Sequence, residues 1–113
     1  MKYMLLIYGN QEAWDDLTEN GRDALDAAHR DVLAELTASG ELVLSNELDT
    51  TKAKVVRRTG DRLLVTAGPF AETREMVGGF YIVDVADLKC AVEIAGRLEE
   101  TTFSLVEIRE LMH

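Results

Sequence analysis

The sequence predicts an α+β fold, in which one antiparallel sheet carries two helices on a single face. Two observations lead to this prediction. Apolar runs with the length of a strand occur at Tyr3–Tyr8 and Phe80–Asp84, and two longer stretches show the three-and-four spacing of a helix. The 113 residues suit one domain, residues 1–113, because single cores are commonly built from about 100 to 150 residues.

The first strand and the first helix are the most clearly marked elements. The run Tyr3–Tyr8 is apolar at every position and ends at Gly9, which is typical of a strand buried on both faces. Thr18 suits the N-cap of a helix over Glu19–Ser39, and Gly40 suits its end. We therefore expect a strand followed by a long helix.

The predicted first helix is amphipathic. Charged residues, from Arg22 to Glu35, occupy one side, and the other side is a stripe of Leu25, Ala28, His29, Val32, Leu33 and Leu36. His29 is the one titratable residue in that stripe, so it should point toward the sheet or a cleft beside it.

The rest of the chain completes the order of strand, helix, strands, strand, helix, strand. A turn of Thr59, Gly60 and Asp61 suits a hairpin between two short strands. A second helix is marked by Leu88, Ala91, Val92, Ala95 and Leu98, which leaves Cys90 on its polar side. The remaining strands are predicted at Glu41–Glu47, Ala53–Arg58, Arg62–Thr66 and Phe103–Arg109. This order is that of a ferredoxin-like sandwich with an added hairpin.

Composition limits the partners. With 12 Lys and Arg against 21 Asp and Glu, the net charge of −9 opposes nucleic acid and anionic membrane surfaces. We expect neither as a partner. No apolar run is long enough to span a membrane, and a single cysteine gives no intrachain disulfide, so a cytoplasmic location is the default expectation.

The strands predict self-association. Two helices cover one face of a sheet, yet Tyr3, Leu5 and Ile7 alternate with Met4, Leu6 and Tyr8, so both faces are apolar. A second copy packed sheet to sheet would cover the free face. We expect a homodimer or a higher oligomer.

One segment resembles a known family. The stretch Ala67–Glu75, AGPFAETRE, with the following Gly78–Asp84, GGFYIVD, is similar to the signature of the YCII-related proteins, in the branch called DGPF-domain proteins. The opening Met1–Tyr8 and the pair Ala28-His29 extend the likeness over nearly the whole chain. The resemblance implies a ferredoxin-like fold that pairs into a dimeric α/β barrel.

The resemblance implies less about function. It implies an enzymatic role in some relatives for a histidine and an aspartate that face a cleft. This sequence has Ala67 where the signature has aspartate, so an acid at that position takes no part here. From the loop we select Phe70, Glu72, Thr73 and Arg74, with Tyr81 on the next strand, as candidate ligand-binding residues. The alternative is a rigid crossover whose charged residues are only paired in solvent.

His29 is the candidate catalytic residue, since an imidazole exchanges protons near neutral pH. The alternative is a buried histidine that only supports packing. A catalytic His29 also needs an acidic partner that orients its ring. The candidates are Glu47, Glu72, Glu75 and Asp84, and their spacing in the sequence does not distinguish them.

Neither a metal nor a cofactor is expected, because no His or Cys pair has ligand spacing and no phosphate-binding or dinucleotide loop occurs. Two functions remain open. One is a cleft beside His29 where a small organic molecule undergoes acid/base or lyase-like chemistry. The other is a non-catalytic module for ligand binding or dimerisation. The sequence therefore does not decide whether the protein is an enzyme.

Overall fold

A computed structural model of the chain describes residues 1–68 and 75–113. Strands and helices alternate in nearly the predicted order. The elements are β1 (Lys2–Gly9), α1 (Gln11–Asp15), α2 (Glu19–Ser39), β2 (Leu42–Glu47), β3 (Lys54–Thr59), β4 (Arg62–Ala67), β5 (Met76–Asp84), α3 (Leu88–Gly96), a 3₁₀ segment (Glu99–Thr102) and β6 (Val106–Glu110).

The main sheet has four strands in the order β2-β5-β1-β6, and every neighbouring pair is antiparallel. The chain returns through α2 and α3 between strands that are not neighbours. This arrangement is consistent with the predicted α+β ferredoxin-like fold. Strands β3 and β4 form a separate two-stranded sheet, the hairpin predicted from the turn at Thr59 to Asp61.

Local signals define the long helix as predicted. The Thr18 hydroxyl accepts a hydrogen bond from the backbone N–H of Gly21, which satisfies one of the free donors at the helix start. Gly40 ends the helix with φ of 78°, a left-handed conformation that glycine adopts without steric cost. Although α2 has 21 residues, no helix within the described ranges is long and apolar enough to cross a membrane.

The core lies on one face of the main sheet. The sheet contributes alternate residues of its two central strands, and α2 and α3 cover them with the apolar sides that face inward. The buried apolar residues are Tyr3, Leu5, Ile7, Val32, Leu36, Tyr81, Val83, Val85, Ala91, Ile94, Ala95 and Leu98. This single cluster agrees with the expectation that both helices lie on the same side.

The opposite face of the sheet carries no helix. Met4, Leu6, Phe80 and Ile82 alternate with the core residues and are half-buried on this face. Phe80 lies directly opposite Leu6 in the β1–β5 ladder, and Ile82 lies opposite Met4. Within residues 1–68 and 75–113, no helix covers this apolar strip of the sheet.

The prediction for the second helix was wrong in its details. Val92 is exposed, and Cys90 packs against the core instead of facing solvent. The buried row runs through Ala91, Ile94, Ala95 and Leu98, so Cys90 lies one turn before Ile94 on the same side. The helix is therefore rotated away from the row of Leu88 and Val92.

Two further boundaries differ from the expectation. The segment around Trp14, where no helix was predicted, contains the short helix α1, whose N-cap Asn10 accepts a hydrogen bond from the Ala13 N–H. The last strand begins at Val106 and not at Phe103, because the chain turns over residues 103–105 after the 3₁₀ segment.

Trp14 packs on the backbone at the end of the central strands. A Cβ built on Gly9 would lie 2.3 Å from a ring carbon of Trp14, and one built on Gly78 would lie 3.0 Å from that ring. The register of β1 and β5 shifts at this point, where Ile7 pairs with Gly79 and Tyr8 pairs with Val77. Both glycines therefore provide the surface on which the indole ring lies.

We predict that Gly9→Ala displaces Trp14. The methyl group has no space beside the ring, and overpacking of this kind costs about 1–3 kcal/mol of the free energy of unfolding. Chemical denaturation measures that loss, and tryptophan fluorescence reports the move directly because the chain has one Trp.

Gly96→Ala is the matched control. A Cβ at Gly96 meets nothing within 4 Å, so this change should leave the fluorescence as it is and stabilise the helix by up to about 1 kcal/mol. Equal stability and equal emission spectra in the two variants would show that Trp14 does not rest on Gly9.

Candidate functional site

His29 is held between three parts of the chain. It lies on the inner side of α2, four residues after Leu25 and four before Leu33, and its side chain is 22% exposed. From there the ring reaches Tyr81 on β5 and Glu100 in the 3₁₀ segment. The helix stripe thus turns a titratable group toward the sheet, as the sequence predicted.

Both nitrogens of the imidazole ring are engaged. Nε2 lies 2.9 Å from Oε1 and 2.8 Å from Oε2 of Glu100, and Nδ1 lies 2.6 Å from the hydroxyl oxygen of Tyr81. Carboxylate oxygens accept hydrogen bonds, so Nε2–H donates to Glu100. The Nδ1–Tyr81 bond runs in either direction, depending on the charge of the ring.

Glu100 is a buried acid, with 7% of its surface exposed. A buried carboxylate needs a partner, because removing its hydration costs several kcal/mol if nothing replaces it. His29 supplies that partner. Sequence reasoning missed Glu100, which lies 71 residues from His29 in a segment where no apolar period indicates which side chain points inward.

The acid raises the pKa of His29 above its ordinary value. The hydrogen bond that the ring donates to Glu100 is the largest cause, burial of the ring acts in the opposite direction, and the negative charges of Glu100, Asp26 and Glu47 add to the increase. The ring therefore keeps its proton to a higher pH than a free histidine does.

Tyr81 is 4% exposed, and burial together with the charge of Glu100 raises the pKa of its hydroxyl to about 12. Its phenol group is neutral at physiological pH and has one proton to donate. Tyr81 was predicted as a ligand-binding candidate, and the fold brings it to His29.

A pocket of about 700 Å³ opens beside these three residues. Trp14, Leu17, Leu25 and Leu33 provide apolar walls, and the backbone of Gly78 and Gly79 forms part of the lining. The charged and polar residues of the lining are Tyr8, Gln11, Asp15, Arg22, Asp26, Arg30, Ser45, Asn46, Glu47 and Thr50, in addition to His29, Tyr81 and Glu100. This size and this mixture suit a small organic molecule.

The other predicted residues divide into two groups. Phe70, Glu72, Thr73 and Arg74 lie outside the described residues. The remaining nominees for a partner acid are described, and none of them bonds to His29, although Glu47 lines the same pocket.

Glu75 and Asp84 have other partners. Glu75 accepts hydrogen bonds from the Asn10 side-chain amide at 3.1 Å and the Ser104 hydroxyl at 2.5 Å. It therefore joins the start of β5 to the cap of α1 and to the segment before β6. Asp84 bonds to the N-terminal amine of Met1 at 3.1 Å. These two acids connect separate segments of the fold. Neither of them belongs to the hydrogen-bond network of His29.

The chain is similar to a known protein family and to a bacterial protein. The family model of the YCII-related domain matches residues 1–113, the whole chain. An uncharacterised protein of Rhizobium meliloti (strain 1021) is 39% identical over 64 residues, which is 55% of this chain and 52% of that protein. The chain thus aligns with about half the length of this relative.

We predict that Glu100→Gln lowers the pKa of His29. Glutamine keeps a hydrogen-bond acceptor for Nε2–H but removes the negative charge that stabilises the imidazolium. An NMR titration of the ring protons measures the change, and the matched control is Glu99→Gln, one residue earlier and exposed. A titration curve for His29 that does not move in Glu100→Gln would contradict the assignment of Glu100 as its partner.

The same pair makes stability depend on pH. Because the folded pKa of His29 is raised, its contribution is complete below the unfolded value near 6.5 and is lost as the pH rises through the folded value. The free energy of unfolding of the wild type minus that of Glu100→Gln should therefore be larger at about pH 5.5 than at about pH 9. A difference that grows with pH would contradict this sign.

Proposed function

We propose, for a chain that belongs to the YCII-related family, that the pocket beside His29 binds a small organic molecule and exchanges a proton with it. The observation that carries the proposal is the row of Glu100, His29 and Tyr81 along one side of that pocket. A titratable ring oriented by a buried carboxylate is the arrangement that general acid/base catalysis needs.

The electrostatics support proton exchange near neutral pH. Glu100 stabilises the imidazolium form of His29, so the ring can accept a proton without leaving a free charge in a buried place. The neutral Tyr81 hydroxyl adds a donor beside it. The reaction class is acid/base or lyase-like, with a proton removed from or delivered to a bound molecule.

The lining indicates what kind of molecule fits. Apolar walls from Trp14, Leu25 and Leu33 favour a flat or branched carbon body. Arg22 and Arg30 lie on the exposed side of α2 along the pocket and offer charge-assisted bonds to an acidic group. A small organic acid with an apolar body satisfies both.

A non-catalytic module is the second candidate. The site has no acid at position 67, and Glu100, His29 and Tyr81 satisfy one another without a ligand. A closed set of this kind is also how a buried histidine is held for packing. In that case the pocket would bind a molecule and leave it unchanged.

The experiment is a thermal-shift screen of small organic acids, followed by product analysis of each molecule that binds. We expect a binder to raise the melting temperature by mass action. His29→Gln should lower its turnover by about 100-fold or more, since a general acid/base contributes about 10²–10⁴-fold. His113→Gln, at the exposed end of the chain, is the matched control and should be without effect.

Three results decide between the candidates. Turnover that depends on His29 supports the enzyme. A binder that is recovered unchanged and binds His29→Gln as well as wild type supports the module. Turnover that is equal in wild type and His29→Gln would contradict acid/base chemistry at this site.

Self-association is the second part of the proposal. We propose that two chains pack with their uncovered sheet faces together, as in the dimeric α/β barrel that the family resemblance implies. The support is the half-buried apolar strip of Met4, Leu6, Phe80 and Ile82. In a two-fold dimer, the same strip of a second copy would cover it. The exposed apolar residues of the hairpin, Val56, Leu63, Leu64 and Val65, also favour a partner, because an isolated two-stranded hairpin is only marginally stable.

We predict that Leu6→Lys converts the dimer to a monomer. Position 6 lies directly opposite Glu107 in the β1–β6 ladder, so the new ammonium group can pair within its own chain and the fold is kept. In the dimer it would bury a charge. Light scattering at micromolar concentration measures the mass, and Val92→Lys, on the exposed side of α3, is the control that should remain dimeric. A monomeric wild type would contradict the proposal.

A further inference from the structure

His29 has no nitrogen left for a substrate. An imidazole ring has two nitrogen atoms, and Glu100 holds one of them with both carboxylate oxygens while Tyr81 holds the other at 2.6 Å. A general base must come within hydrogen-bond distance of the proton that it takes. The proposed role of His29 therefore needs an intermediary or the loss of one of these bonds.

We infer that Tyr81 is the residue that touches the substrate, and that the proton passes between the substrate and His29 through the Tyr81 hydroxyl. This inference rests on the proposed acid/base function and specifies how it works. His29 then accepts the proton from Tyr81, and Glu100 positions the ring of His29. All three residues line the pocket, but Tyr81 makes one bond in this network, to Nδ1, so its oxygen keeps a position for a second partner.

The direction of each hydrogen bond follows from the acceptors. Because Glu100 only accepts, Nε2 carries a proton in both charge states of the ring. In neutral His29 the lone pair of Nδ1 faces Tyr81, so the Tyr81 O–H donates to it. In the imidazolium form Nδ1–H donates to the Tyr81 oxygen, and the phenolic proton is free to point at a ligand. The charge of His29 thus decides whether Tyr81 presents an acceptor or a donor.

The proton balance is complete in either direction. When the site acts as a base, a substrate proton moves to the Tyr81 oxygen as the phenolic proton moves to Nδ1, which leaves a substrate anion, a neutral tyrosine and an imidazolium paired with Glu100. When it acts as an acid, the same two protons move back. No oxidant, reductant or further reactant is needed.

The surroundings of the ring favour this relay. Asp26 on α2 and Glu47 on β2 add negative charge near His29, which supports the imidazolium after transfer. Asp15, Arg22 and Arg30 complete the charged lining around the pocket. A phenol with a pKa of about 12 does not lose its proton unaided at neutral pH, so a base at 2.6 Å is what makes the tyrosine reactive.

The test uses p-nitrophenyl acetate as a chemical probe of the activated oxygen. The Tyr81 oxygen attacks the ester carbonyl, p-nitrophenolate leaves, and the phenolic proton goes to Nδ1 of His29. We expect an acetyl group on Tyr81 in the peptide mass spectrum, at a rate that rises with pH as His29 becomes neutral. His29→Gln should lower that rate by about 100-fold or more.

Tyr8 lines the same pocket and has a hydrogen bond to a carboxylate, Glu107 at 3.0 Å, so its acetylation in the wild type is the internal reference for a tyrosine without a histidine partner. Tyr3→Phe is the matched control variant, because Tyr3 is also a buried tyrosine but does not line the pocket. This change should leave acetylation of Tyr81 as it is. In Tyr81→Phe the Nδ1 atom is uncovered, so the acetyl group should transfer to His29 and be released by water. Circular dichroism and melting temperature confirm that each variant is folded.

Two results would overturn the relay. One is acetylation of His29 itself in the wild type, which would show that a ring nitrogen is accessible. The other is acetylation of Tyr81 that is no faster than that of Tyr8, or that is unchanged in His29→Gln.

The relay and the proposed function fail separately. If turnover of a substrate found in the screen requires His29 and is kept in Tyr81→Phe, the acid/base function stands and His29 acts directly. If neither residue matters for turnover, both fail. Loss of turnover in Tyr81→Phe with retained binding of the substrate supports both.

Discussion

The placement of a carboxylate inside the protein is the constraint on which the site depends. Glu100 is almost fully buried, and its charge is balanced by one ring, that of His29. The carboxylate would not be stable in this position alone, since an unpaired buried charge costs several kcal/mol. The pair therefore links α2 to the 3₁₀ segment, and the Tyr81 hydroxyl adds β5 to the same connection. Parts of the chain that are 52 and 71 residues from His29 meet at one imidazole.

The same end of the sheet shows how backbone shape makes room for a pocket. Gly9 and Gly78 have no side chains, and Trp14 lies on the surface that they leave. Gly79 is equally restricted, because a Cβ there would come within 3.0 Å of the Asn46 carbonyl oxygen on β2. The indole ring and the bare strands form one wall, and α2 forms another. The pocket is thus a consequence of packing at the strand ends, and His29 lies where the two walls meet.

Much of the fold was predictable because it follows from periodicity. Alternation in Tyr3–Tyr8 and the stripe on Glu19–Ser39 depend on neighbours in sequence, and both were confirmed. The rotation of α3 was not predictable, since Val92 and Ile94 are equally apolar and only the position of the helix on the sheet selects between them. Trp14 shows the same limit, because the glycines beneath it belong to two different strands.

The site was half predictable for a similar reason. His29 was found because an ionisable residue interrupts an apolar stripe, which is a local signal. Glu100 follows Glu99 in a segment without regular spacing, and only the three-dimensional fold shows that the second of these acids points inward. Of the acids that the sequence offered as partners, Asp84 bonds to the N-terminus, Glu75 bonds to the cap of α1 and Glu47 lines the pocket, while Glu72 lies outside the described residues.

The position of Ala67 in the fold changes what the absence of an acid there implies for His29. Ala67 is the last residue of β4 and pairs with Lys54 in the two-stranded sheet, which is separate from the sheet that carries Tyr81. The carboxylate that orients His29 comes instead from the 3₁₀ segment, which lies later in the sequence than position 67. A histidine needs one acid to fix its tautomer and to stabilise its charged form, and a single buried glutamate with two oxygens near Nε2 is sufficient for both. Alanine at position 67 therefore leaves the pairing of His29 with a buried acid intact.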